Sequence, residues 1–82
     1  MIEDIKKIIS KNIDCFHLEI LDESPNHGGY SGQVSHIKVI IVSDLFIDKS
    51  LINRHKEVYK AMESYVSEIH AISIVAKSIA QW

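Results

Sequence analysis

The chain of 82 residues is expected to fold as an α+β domain, a small sheet with helices packed on one face. Three observations predict this class: helically spaced isoleucines at the start, β-branched runs in the middle and at the end, and a helical period in between. No repeat or linker is visible, so residues 1–82 are expected to be one domain. A hydrophobic fraction of 46% with 24% charged residues is ordinary for a globular core and argues against disorder. The length lies near the lower limit at which one core holds a fold without staples.

The first element is a helix, because Ile2, Ile5, Ile8 and Ile9 recur on one side of "IEDIKKIISKNI" while Asp4, Lys6, Lys7 and Lys11 fall elsewhere. "CFHLEILDE" alternates next, with Phe16, Leu18 and Ile20 on one side and His17 and Glu19 on the other. This is the pattern of a half-buried strand, ending near Asp22. "SPNHGGYSG" interrupts regular structure through Pro25, Asn26 and the glycines and reads as the loop of a long hairpin. The run of β-branched residues at 37–42 in "SHIKVIIVSD" predicts a central strand covered on much of both faces.

From 50 to about 69 the period turns helical, clustering Leu51, His55, Val58, Met62, Val66 and Ile69 on one side. Lys49, Asn53, Lys56 and Lys60 lie opposite. Either Asp48 or Ser50 is placed to cap this helix. "HAISIVAKSI" alternates and is read as a third strand.

Composition bounds the function. A net charge of −2 excludes whole-surface attraction to phosphate, so any nucleic-acid binding must use a local patch. The single cysteine, Cys15, cannot form an internal disulfide. "MIEDIKKIIS" alternates charge with isoleucine, unlike a signal peptide or membrane span, and a cytoplasmic protein with no membrane association is expected. No nucleophile, base and orienting acid stand at suggestive spacing and no phosphate-binding glycine loop precedes a helix, so a non-enzyme is expected.

The histidines are the remaining candidates. His27 lies in a loop with Gly28, Gly29 and Gly32, where small residues let an imidazole swing toward a partner's metal; a solvated loop histidine fits equally well. His70 stands at a strand entrance, where polar residues are common. His55 projects among Leu51, Val58 and Met62 and reads as a structural histidine that needs a hydrogen-bond partner. His17 and His36 occupy strand positions and are assigned no role. Lys49, Arg54, Lys56 and Lys60 form a modest basic stripe, interleaved with Glu57 and Glu63, which is either a phosphate contact or a solvated helix face.

Four strings, "LEILDES", "HGGYSGQVSHIKVIIVSD", "LINRHKEVY" and "IHAISI", followed by a terminal "QW", occur in an order and spacing that resemble the BolA family, over residues 18–82. The resemblance implies a class II KH-like fold in the order α-β-β-α-α-β, with a three-stranded mixed sheet and a helix–turn–helix-like segment around "SLINRHKEVYKAMESY". It also implies a monothiol glutaredoxin as partner. With that partner and glutathione the chain would share a bridging [2Fe–2S] cluster, His70 matching the family's strand-entrance ligand and His27 its loop ligand. Alone, the chain would be a metal-free monomer or weak homodimer. Imidazoles suit this chemistry, since two histidines on one iron raise the potential of a [2Fe–2S] cluster, and the remaining ligands come from elsewhere. Some bacterial members are described as DNA-binding regulators, which makes DNA the alternative partner. Two departures stand out. Asp48 replaces the glycine of an F-x-G pattern, and aspartate tolerates the left-handed turn better than most residues. Lys56 replaces the second arginine of an "RHR" string and loses bidentate recognition.

Overall fold

The computed structural model describes residues 1–24 and 35–82. Helix α1 (Ile2–Asn12) buries Ile5 and Ile9 completely, and Ile2 and Ile8 pack against the same core. Glu3 and Asp4 in its first turn and Lys11 in its last complement the helix dipole. Each fully buried isoleucine contributes about 1.5–3 kcal/mol through removal from water.

Strands β1 (His17–Asp22), β2 (His36–Val42) and β3 (Ala71–Lys77) form one mixed sheet with β2 in the centre. β1 runs antiparallel to β2, pairing His17 with Val42 and Asp22 with Ile37. β3 runs parallel to β2, pairing His36 with Ala71 and Val42 with Lys77. Parallel neighbours require a crossover, supplied here by the helices between β2 and β3. Leu18 and Ile20 of β1 pair with Ile41 and Val39. Ile72, Ile74 and Ala76 of β3 pair with Ile37, Val39 and Ile41, so these rows share the face covered by the core.

The expectation that β2 is covered on much of both faces holds in part, since Val42 on the second face is fully buried. Ile37, Val39 and Ile41 are buried, whereas Lys38 and Ile40 between them are only half-buried. Both helical layers lie on one side, and an apolar run alone does not distinguish a two-sided strand from a one-sided one.

After β2 the single turn Asp44–Phe46 buries Phe46. Asp48 then takes a left-handed φ of 61°, a conformation that glycine adopts at least cost and that aspartate tolerates better than most residues. Ser50 caps α2 (Leu51–Met62), its hydroxyl accepting from Asn53 N at 3.2 Å, which settles the choice between Asp48 and Ser50.

The uninterrupted helix that periodicity predicts over 50–69 is two helices. α2 stops at Glu63, whose φ is 54°, and a short α3 (Tyr65–Glu68) follows. The stop is pinned by Asn12 of α1, whose side-chain amide donates to Ala61 O at 3.0 Å and to Glu63 Oε2 at 2.9 Å. The buried face of α2 is also rotated from the expected one. Arg54, Val58, Ala61 and Met62 point inward, Leu51 is 69% exposed, and His55 is half-buried at the edge. A hydropathy projection excludes arginine from a core face, and Arg54 occupies one. Among the described residues no helix is long and apolar enough to cross a membrane.

Candidate metal-ligating site

The parallel register sets the site. With His36 opposite Ala71, and Ala71 N donating to Ser35 O at 3.0 Å, the residue before β3 is brought beside the first residue of β2. That residue is His70. Its ring and that of His36 meet edge to face, with centroids 5.3 Å apart and planes at 69°. His70 is exposed and His36 half-buried. Ser35 Oγ lies 2.9 Å from His36 Nδ1, so one ring nitrogen is held by the residue just before β2. Fixing one nitrogen in this way sets the orientation of the other, as supporting hydrogen bonds do around metal-binding histidines.

The same pole anchors the segment between β1 and β2. Ser24 is buried, and its Oγ accepts from Ser35 N at 2.8 Å and His36 N at 3.0 Å while donating to His36 O at 3.3 Å. One hydroxyl offers two acceptor sites and one donor, so all of its capacity is used. Ser24 N donates to Asp22 Oδ1 at 2.9 Å, and Glu23 N to His36 O at 2.9 Å. Hydrogen bonding from Ser24 holds the Asp22 carboxyl below its ordinary range. The two ends of the segment 25–34 are thereby closed against each other next to His70. His27 and the glycines around it lie outside the described residues.

The structure thus places predicted His70 at an exposed pole and joins to it a residue that sequence reasoning left unassigned. The signal was available. "SHIKV" and "IHAIS" each put a histidine just before or at the start of a strand, and parallel pairing of those strands makes the two neighbours. Neutral imidazoles are common metal ligands. Two of them suit one iron of a [2Fe–2S] cluster whose other ligands are supplied elsewhere. Among the described residues no three His, Cys, Asp or Glu side chains gather as a metal-binding group.

Cys15 belongs to the other end of the sheet, before β1. It is half-buried against the core, its thiol donates to Ile13 O at 3.3 Å, and burial followed by the Asp14 carboxylate pushes its pKa up. A protonated, packed thiol matches the expected apolar role and is a poor nucleophile or ligand. His17 is also at that end, stacked on Trp82 at 5.0 Å. Its Nε2 is 3.5 Å from Glu19 Oε1 without a hydrogen bond.

The basic stripe is smaller than expected. Lys56 and Lys60 are exposed and Lys49 half-buried, but Arg54 is only 7% exposed. Its Nε donates to Lys49 O at 3.0 Å, and its Nη1 to Ala76 O at 3.0 Å and Gln81 Oε1 at 2.7 Å. The placement of Arg54 among phosphate contacts is therefore corrected. Its guanidinium ties α2 to β3 and the C-terminal turn, where Gln81 also accepts from Ser78 N at 2.9 Å.

Residues 9–81 match the family described as BolA-like protein. A BolA-like protein of Dictyostelium discoideum is 36% identical over 81 residues, covering 96% of this chain and 71% of the relative. The DNA-binding transcriptional regulator BolA of Escherichia coli is 36% identical over 66 residues, covering 79% of this chain and 63% of that protein. Among solved structures, the BolA domain of SufE1 from Arabidopsis thaliana superposes with a TM-score of 0.87 at 37% identity, covering 98% of this chain and 93% of that one.

Proposed function

Because this chain belongs to the BolA-like family, we propose that it is a non-catalytic adaptor that binds a monothiol glutaredoxin and completes a bridging [2Fe–2S] cluster with it and glutathione. Its work is then cluster assembly or trafficking, or the reporting of iron status. The observation that carries this reading is the exposed His70 ring standing 5.3 Å from that of His36, at the pole where Ser24 and Ser35 are hydrogen-bonded to each other. His70 is the first ligand and His27 the second, while His36 steadies the neighbouring ring. The cluster supplies the electron-accepting irons; this chain supplies neutral nitrogen donors and an approachable strand end.

Mixing the chain with a monothiol glutaredoxin, glutathione, iron and sulfide tests this. The visible absorption and circular dichroism of the mixture should differ from those of the glutaredoxin alone, and His70→Ala should abolish the difference. A heterodimer spectrum unchanged by His70→Ala would remove His70 from the role.

A second reading, binding of duplex DNA, is favoured by the name of the Escherichia coli relative and by the exposure of Lys56 and Lys60. With Arg54 turned inward, three lysines remain, and the log–log salt dependence should have a slope of about −3 at most. Failure to bind any duplex at low salt rejects this reading.

A further inference from the structure

At the opposite end of the sheet from His36 and His70, where β1 begins and β2 and β3 end, lies a hollow of about 550 Å³. The stretch after α1, the turn Asp44–Phe46 and the C-terminal turn Ile79–Gln81 border it. Phe16, Leu45 and Ile79 converge on it, and all three are exposed, Phe16 by 64%. Single exposed apolar side chains are normal, but convergent ones mark interaction surfaces.

Ser43 pairs part of the polar backbone around the hollow. Ser43 Oγ donates to Asp14 O at 2.7 Å and accepts from Leu45 N at 3.2 Å. What remains unspent is apolar surface and negative charge, since Asp14 and Asp44 also line the hollow and are exposed. A second hollow of about 440 Å³ shares Asn12 and Ile13 with the first and adds Glu57 and Glu63 against Lys60. Four carboxylates and one ammonium therefore line the two hollows, which adjoin at Asn12 and Ile13.

We propose that this surface seats a polypeptide segment of a partner protein that carries a large apolar side chain beside lysine or arginine. The apolar side chain fills the space between Phe16, Leu45 and Ile79, and the cations meet Asp14 and Asp44. Phosphate-bearing ligands are repelled by the same carboxylates. The seven residues of β2, at about 3.3 Å each, separate this surface from His70 by about 20 Å. Both ends can be occupied at once, as an adaptor between two proteins requires.

The test is a ¹⁵N–¹H NMR titration of the full chain with two capped hexapeptides, Ala-Lys-Leu-Phe-Arg-Ala and Ala-Glu-Leu-Phe-Glu-Ala. The basic peptide should shift the amides of Cys15, Phe16, Asp44, Leu45 and Ile79 and leave that of His70 unmoved. The acidic peptide should bind about tenfold more weakly, and the Asp14→Asn/Asp44→Asn double variant should lose about tenfold for the basic peptide, since both positions are exposed and folding is unaffected. No saturable shift at about 1 mM basic peptide, equal binding of the two peptides, or shifts centred elsewhere overturns the proposal. So does concentration-dependent self-association abolished by Phe16→Glu, which would assign the surface to a second copy. None of these outcomes depends on glutaredoxin or iron, so failure here is distinct from failure of the cluster reading.

Discussion

Arg54 shows what one residue contributes and how it hides. Arg54 is 7% exposed, and its guanidinium has no carboxylate partner among its described hydrogen bonds, donating instead to two main-chain carbonyls and the Gln81 amide oxygen. A planar fork is needed to reach Lys49 O through Nε and Ala76 O through Nη1 together, and an ammonium cannot do so. Arg54→Lys should therefore lower stability by about 2–3 kcal/mol, seen as a lower midpoint in urea with an unchanged slope. A midpoint within error of the wild type would show that Arg54 is dispensable to the core. At this scale the sequence was least legible. The basic stripe read from the sequence took in Arg54, because burial of an arginine depends on acceptors from Ala76 and Gln81, more than twenty positions away. Asp48 was legible: a left-handed residue was expected where the family pattern has glycine, and φ is 61°.

The elements themselves were readable wherever the local pattern decides them. Alternation marked β1 and β3, β-branching marked β2, and Ile5 and Ile9 marked the buried stripe of α1. The end of α2 was not readable from period alone, because Asn12, on another helix, holds Ala61 O and Glu63 in place. The pairing of β2 with β3 was likewise a tertiary fact, and it is what joins His36 to His70. Ser24 belongs to this level, since it fastens the end of β1 to the beginning of β2. Ser24→Ala removes three hydrogen bonds and leaves Ser35 N and His36 N without the hydroxyl that they share. A cost of about 1–3 kcal/mol is expected, with faster hydrogen exchange at the Ser35 and His36 amides. Unchanged protection of both amides would mean that other groups hold the strand ends together.

Across the whole molecule the sheet acts as a spacer between two unlike ends. One presents His70 and His36 and anchors the ends of the 25–34 segment; the other presents Phe16, Leu45 and Ile79 among carboxylates. The net charge of −2 agrees with a molecule that meets proteins by local complementarity more than nucleic acid by bulk field. The family was legible in four strings of sequence, and the match over residues 9–81 bears it out. The part played by His36 was less legible, because this residue carries no mark until the strands are paired.

The most direct test of the central claim is pulsed electron paramagnetic resonance of the reduced cluster complex, with ¹⁵N-histidine in this chain alone and natural-abundance glutaredoxin and glutathione. The account predicts ¹⁵N hyperfine coupling of a size typical of iron-bound imidazole, reduced in His70→Ala, where His27 remains as a ligand, and lost when both histidines are replaced. A reduced [2Fe–2S] signal from the intact heterodimer with no ¹⁵N coupling would contradict it.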